Sequence, residues 1–167
     1  TNAGGMGVIA TDFANDLDLK LADLTSETLE EIRKACPPTW NPGNPVDIIG
    51  DADTARYANV LTAVGKDPAV KAIMVIAARQ AATNLFQIAK WIAITARISG
   101  KPTVACFAGI FDQESEQFLD SRGIPVMSVP ERGMTALHAL SERGKWLKKK
   151  GVDLPKRAPN GWNDLPE

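Results

Sequence analysis

The 167-residue sequence predicts a three-layer α/β domain, a parallel sheet with helices on both faces. Short, continuously apolar runs, the pattern of strands buried on both sides, alternate with amphipathic stretches of helical period. Successive runs are spaced to leave room for one helix each. A strand–helix–strand unit of that length closes as a right-handed crossover between parallel strands. Hydrophobic residues make up 44% of the chain and charged residues 23%, the balance of one ordinary globular core.

The elements follow in order. The chain opens on a small-residue loop, Thr1-Asn2-Ala3-Gly4-Gly5-Met6-Gly7, that runs into a helix over 8–14. The strand that such a loop follows is expected ahead of Thr1, so strand one is mostly missing from this sequence. Residues 17–43 are longer than a normal connection and read as an insertion, with a helix over 26–36 ended by Pro37-Pro38. Residues 46–49 read as a short strand two. Asp53 caps a helix over 54–64, closed by Gly65. Strand three spans 72–77. A helix over 83–99 places Leu85, Ile88, Ala89, Ile92 and Ala96 on one face and stops at Gly100. Strand four spans 103–108, and a helix over 113–121 ends before Gly123. Strand five, 124–129, carries Pro125 at its start, where a missing N–H is tolerated. The last helix starts at Pro130 and runs to Lys148-Lys149-Lys150, cations that suit a helix C-terminus. From Gly151 the chain is polar and holds Pro155, Pro159 and Pro166, with Trp162 as a residue that can dock. Residues 1–150 therefore read as the domain and 151–167 as a tail or interdomain linker.

Several function classes fall away. The net charge is −1, which gives no field that attracts nucleic acid or an acidic membrane. No apolar run reaches the length of a membrane span, and no signal peptide is visible. Cys36 and Cys106 lie far apart and form no metal-ligand pair. Both read as reduced cysteines of a cytoplasmic protein, Cys106 as a small core residue. The single histidine, His138, shares the apolar side of a helix with Met134, Leu137 and Leu140 and reads as a packing residue. Asp47, Asp51 and Asp53 cluster after strand two with charge enough for a cation, but turn and cap roles account for two of them.

In an open parallel sheet, ligands bind beyond the carboxyl ends of the strands, where the strand order reverses. Two loops reach that point, 1–7 after strand one and 78–84 after strand three. Both lead into helix N-termini, which offer unpaired N–H groups and partial positive charge to an anion, above all a phosphate. The candidate phosphate-binding residues are Asn2, Gly4, Gly5, Gln80, Ala81, Thr83 and Asn84. Thr83 or Asn84 caps the second helix, and the N–H groups of Gly4, Gly5, Thr83 and Asn84 are expected to converge on one pocket. Arg79 either adds a charge-assisted bond or is a surface arginine. The first loop has neither the Lys of a GxxxxGK[ST] motif nor the full GxGxxG spacing, so a plain strand-to-helix turn is its other reading.

Taken together the motifs form an ordered set: Thr1-Asn2-Ala3-Gly4-Gly5 with Gly7, Asn44-Pro45-Val46-Asp47, Gly50-Asp51-Ala52, Asp67-Pro68, Lys101-Pro102, Gly123-Ile124-Pro125-Val126 and Pro130-Glu131-Arg132. Over about residues 1–150 this set resembles the ADP-forming (NDP-forming) acyl-CoA synthetases, relatives of succinyl-CoA synthetase. The resemblance implies their flavodoxin-like (Rossmann-like) domain, with strand order 2-1-3-4-5, which follows a CoA-binding domain and a domain carrying the phosphorylated histidine. It implies the reaction acid + CoA + ATP = acyl-CoA + ADP + phosphate, through an acyl phosphate and a phosphohistidine. A small organic acid is the substrate. CoA, ATP or ADP and Mg²⁺ are bound mainly by other domains, an ATP-grasp module among them. The helix starting near Thr83 matches the family's "power helix", whose N-terminus faces the phosphohistidine. No catalytic residue and no metal ligand is implied within this chain, since His138 does not match the phosphorylated histidine, and the chain alone is expected to be inactive. Met6 stands where a Pro is common, Ala77-Ala78-Arg79-Gln80 replaces a Pro-containing turn, and Gly109-Ile110 replaces a Gly-Gly pair. Two other readings stay open, a ligand-sensing domain of a synthetase-like regulatory protein and a docking domain.

Overall fold

The two longest apolar runs pair side by side. β1 (Ile73–Ala78) and β2 (Thr103–Ala108) are parallel, in register from Ile73 beside Thr103 to Ala78 beside Ala108. β3 (Val126–Met127) joins β2 in parallel at Ala105 and Cys106. The computed structural model describes residues 1–40, 42–109 and 112–152. Among these residues the sheet has three strands, in the order β1-β2-β3, which are the expected strands three, four and five. Six helices accompany it: α1 (Gly4–Asp16), α2 (Ser26–Ala35), α3 (Thr54–Lys66), α4 (Leu85–Ser99), α5 (Gln113–Asp120) and α6 (Pro130–Lys149). Ile110 and the expected tail with Trp162 lie outside the described residues.

The period of two along the strands sorts the layers. Ile73, Val75 and Ala77 of β1, with Ala105 and Phe107 of β2, pack into the larger core, against Ile88 and Ile92 of α4 and Tyr57 and Val60 of α3. Ile76, Cys106 and Ala108 point the other way and meet Ala10 of α1 and Met134 of α6. Both faces are therefore covered, which is why these runs are apolar almost throughout, Thr103 at the start of β2 being the exception. Among the described residues no helix is long and apolar enough to cross a membrane.

Several boundaries differ from the sequence reading. Residues 46–49 form no strand. Thr1 N donates to Val46 O at 2.9 Å and Ile48 N donates to Thr1 O at 2.7 Å, a parallel pairing around one residue and too short for a ladder. α1 begins inside the expected loop, at Gly4, because Met6 and Gly7 donate to the Ala3 carbonyl. α3 runs through Gly65 instead of stopping there. A Cβ at Gly65 would lie 2.9 Å from the Thr95 methyl, so this glycine serves the close crossing of α3 and α4. β3 keeps only two residues of the expected 124–129, since Pro125 contributes a carbonyl but no N–H and α6 starts at Pro130.

The amino ends of the strands are fastened by one buried carboxylate and one lysine. Asp67 is 1% exposed, and its two oxygens accept from Thr25 N–H at 2.9 Å and Ala69 N–H at 2.8 Å. Burial pushes its carboxyl up, but these N–H groups and the Thr28 and Thr25 hydroxyls outweigh burial and hold it below its ordinary 3.8. Lys101 Nζ donates to Gly65 O at 2.7 Å and Asp67 O at 2.6 Å, closing the C-terminus of α3. The inserted α2 is thereby tied to the turn between α3 and β1. Removing the carboxylate takes the acceptor from two partly buried N–H donors, so Asp67→Ala is expected to cost about 1–3 kcal/mol at pH 7 in chemical denaturation. Because the folded-state pKa is the lower one, the loss is full above the ordinary value. It shrinks as pH falls through the folded value, which a denaturation series between pH 7 and pH 3 checks.

Candidate functional site

A side-chain amide is a peptide group free of the chain, with an acceptor oxygen and a donor nitrogen. Asn2, 2% exposed, uses it that way. Its Oδ1 accepts from Ala78 N–H at 2.8 Å and its Nδ2 donates to Ala78 O at 2.9 Å, beside Thr83 Oγ1 at 3.5 Å. Thr83 Oγ1 accepts from Gln80 N–H at 3.1 Å and donates to Ala78 O at 3.4 Å. The two expected loops thus meet at the carboxyl end of β1, and Asn2, Ala78, Gln80 and Thr83 form one connected turn.

Thr83 is not a free donor, because its N–H is bonded to Gln80 O at 3.0 Å. α4 starts two residues later than the sequence pattern implies. Asn84 is its N-cap, with Oδ1 accepting from Gln87 N–H at 3.1 Å. The N–H groups of Leu85 and Phe86, in the first turn, have no acceptor among the described residues. They stand at a crevice of about 400 Å³ walled by Arg79, Ala81, Thr83, Asn84, Phe86 and Asp112. Arg79, Gln80, Ala81 and Asn84 are exposed there. Asp112 is engaged as the cap of α5, its Oδ1 accepting from Ser115 N–H at 3.0 Å.

Gly4 and Gly5 are not in the walls of that crevice. Gly5 is exposed, and Gly4 lies against Asp47, whose Oδ1 accepts from Ile49 N–H at 3.0 Å and whose other oxygen faces the glycine. The positive end of α1 therefore already has a carboxylate beside it. The first turn of α4 has Arg79 instead, so of the two helix ends it is the better anion site. Sequence reading placed Asp47 in a motif and in an acidic cluster with charge enough for a cation, and missed its contact with Gly4, which spans more than forty residues.

The remaining candidates have structural partners. Asp53 caps α3 through Arg56 N–H at 2.9 Å, and Asp51 pairs with the Arg56 guanidinium. His138 is half-buried on α6. Burial pushes the Cys106 thiol up to about 11 and also raises Cys36, so neither is an activated nucleophile.

The glycines make a test of this packing. A Cβ on Gly4 would come within 2.5 Å of Asp47 Oδ2, whereas one on Gly5 meets nothing within 4 Å. Gly4→Ala is expected to destabilise by about 1–3 kcal/mol through that clash. Gly5→Ala should be neutral or stabilise by up to about 1 kcal/mol, the gain of Ala over Gly in a helix. Thermal melts of the two variants side by side check the contrast.

Comparison with known proteins places this geometry in a family. Residues 1–151 match the model of the Ligase-CoA domain. The chain is 33% identical over 153 residues to acetate–CoA ligase (ADP-forming) I of Archaeoglobus fulgidus, covering 91% of this chain and 22% of that protein. It is 35% identical over 152 residues to the alpha subunit of acetate–CoA ligase (ADP-forming) I of Pyrococcus furiosus, covering 89% and 33%. Among solved structures it superposes on the dinucleotide-forming acetyl-coenzyme A synthetase 1 of Ca. Korarchaeum cryptofilum, in complex with phosphate and ADP. The TM-score is 0.80 at 30% identity, covering 92% of this chain and 34% of that one. The chain thus spans a third or less of the length of these relatives. By the extent of these matches and the shared parallel α/β architecture, the chain belongs to the Ligase-CoA domain family.

Proposed function

We propose that the chain is a domain of a cytoplasmic ADP-forming acyl-CoA synthetase, for the reaction acid + CoA + ATP = acyl-CoA + ADP + phosphate. Its task is to help stabilise a phosphoryl group carried by a histidine of another domain. The observation that supports this is the first turn of α4, where two N–H donors and Arg79 face a crevice at the carboxyl end of β1. A phosphoryl group in transfer spreads negative charge over its oxygens, and fixed donors stabilise that charge without reorganising.

In this reading each residue has a part. Asn2 holds the two loops together, Thr83 shapes the turn, Asn84 caps the helix, and Leu85 and Phe86 donate. Gln80 and Ala81 line the approach, while Gly4 and Gly5 open α1, whose N-terminus stands outside the crevice walls beside Asp47. CoA, ATP or ADP and Mg²⁺ are bound mainly by the CoA-binding and ATP-grasp domains, and the substrate is a small organic acid. No residue of this chain is the nucleophile. The sheet of the intact domain has the order 2-1-3-4-5, with 46–49 as strand two. Residues 1–150 act as one domain and 151–167 as a linker.

Asn84→Asp in the full-length protein separates function from folding. Asp caps a helix as well as Asn does, and its charge favours a helix N-terminus, so stability is expected to stay the same. The same charge repels an anion at that turn. Phosphoryl transfer to or from the histidine should slow by about tenfold or more, because a fixed negative charge opposes the charge that the donors stabilise in transfer. Rapid-quench measurement of the acid-labile phosphoenzyme reads this, with Asn84→Ser as the capping control. An unchanged rate in the folded Asp variant would remove the phosphoryl role and favour the ligand-sensing or docking reading.

A further inference from the structure

Helix α4 is apolar on two opposite sides. Leu85, Ile88, Ala89, Ile92 and Ala93 are buried in the larger core. On the other side Gln87, Trp91, Ile94 and Ile98 recur at helical spacing and form one outward stripe. Trp91 and Ile94 are half-buried, and Ile98 is 74% exposed, more than any other large apolar side chain among the described residues. A helix that is apolar all round is one that is covered all round, and the outer side of α4 has no cover from the described residues at Ile98.

The neighbouring helix extends this face. The last turns of α3 and α4 meet closely, at Gly65 against Thr95 and Ser99. The outward stripe of α3 is Ala55, Asn59, Thr62 and Lys66, all exposed and all small but the last. A ridge of large side chains on one helix beside a low shelf on the next has the form of a seat for a further helix. Neither α3 nor α4 contains Asp or Glu, and the charges that border the stripes are cations, Lys66, Lys90 and Arg97. The carboxylates of Asp51 and Asp53, ahead of α3, are engaged with Arg56. The helices on either side differ. α2 exposes Glu27, Glu30 and Glu31, and α5 exposes Glu114 and Asp120. A patch poor in charge, with an indole and branched aliphatic side chains at its centre, is the composition of a protein–protein contact.

We propose that the α3–α4 face seats a helix from another domain of the intact protein, apolar along its line of contact and edged by Asp and Glu. This rests on the reading of the chain as one domain of a longer synthetase, and adds the face that joins it to a neighbour and the chemistry of that neighbour. Charge decides the occupant. Two copies of this face set against each other would bring Lys66, Lys90 and Arg97 together, and like charges across an interface repel. A surface edged by carboxylates pairs with the same cations at the rim, which sets register and choice of partner, while the apolar stripe supplies the attraction. The seat runs along α4 toward the crevice at its first turn, so a partner held there also fixes the direction of that helix end. Ile98 is roughly 20 Å from Leu85 at about 1.5 Å per residue, far enough for the contact and the crevice to be probed apart.

Hydroxyl-radical footprinting and zero-length carbodiimide cross-linking of the full-length protein test this. Ile98 should be oxidised at least about tenfold more slowly than Leu140 of α6, although within this domain Ile98 is 74% exposed and Leu140 50%. Lys66 or Lys90 should be joined to Asp or Glu of another domain of the same polypeptide, at a yield independent of protein concentration. Ile98→Asp sets a carboxylate against those of the partner, so it should lower that yield at least about fivefold and raise the oxidation of Trp91, with the circular dichroism of the fold unchanged. Oxidation of Ile98 as fast as that of Leu140, with no cross-link from either lysine, would overturn the proposal. Cross-links that join two copies and rise with concentration would overturn it in favour of a second copy. Protection and cross-links that survive Ile98→Asp would overturn the acidic chemistry given to the partner. Phosphoryl transfer, read with Asn84→Asp, enters none of these measurements, so failure of the contact and failure of the phosphoryl role are told apart.

Discussion

Two hydrogen bonds from one side chain, Asn2 to the N–H and C=O of Ala78, hold the carboxyl end of the sheet together. A buried main-chain donor and acceptor at a strand end need partners, and leaving each unpaired costs about 1–3 kcal/mol. In a longer ladder a neighbouring strand supplies them. Here a single amide does so, and because Asn2 is two residues from α1 and Ala78 is seven from α4, it sets both helix starts at once. Ile49, at φ 70 in the adjoining loop, is held by the Asp47 carboxylate, so backbone strain also collects at this end.

The two ends of the sheet do different work. At the amino end, Asp67 and Lys101 are saturated with main-chain partners, and the chemistry there is tethering. At the carboxyl end, the first turn of α4 keeps N–H groups that have no acceptor among the described residues, with an arginine beside them. The pair of helix N-termini is also unequal, since Asp47 lies directly against the start of α1 while the crevice at α4 holds Arg79 as well as the capping Asp112. The proposed anion site rests on that asymmetry more than on the glycines that first draw the eye.

Local signals were legible in the sequence. The run 103–108 is β2 to the residue, and the caps Asp53 and Gly100 stand where composition places them. The family resemblance was legible too, through an ordered set of short motifs, and the match over residues 1–151 bears it out. What escaped depends on contacts distant in sequence. Residues 46–49 look like a strand, but among the described residues their main chain pairs with the main chain of Thr1 alone. Gly65 looks like a helix stop but is read through because Thr95 crosses it. Thr83 looks like the start of a helix, yet the Gln80 carbonyl takes its N–H and moves the start to Leu85. Asp67-Pro68 stands in the motif set without a role of its own, and only the fold brings Thr25 to its carboxylate.

The clamp is tested most directly by amide exchange at Ala78 in the full-length protein, wild type against Asn2→Ala. If the Asn2 side chain holds this strand end, Ala78 should exchange at least about tenfold faster in the variant, while Ala105, bonded to Pro125 in the same sheet, stays unchanged. Equal protection of Ala78 in the two proteins, with the fold intact, would contradict the central role given to Asn2.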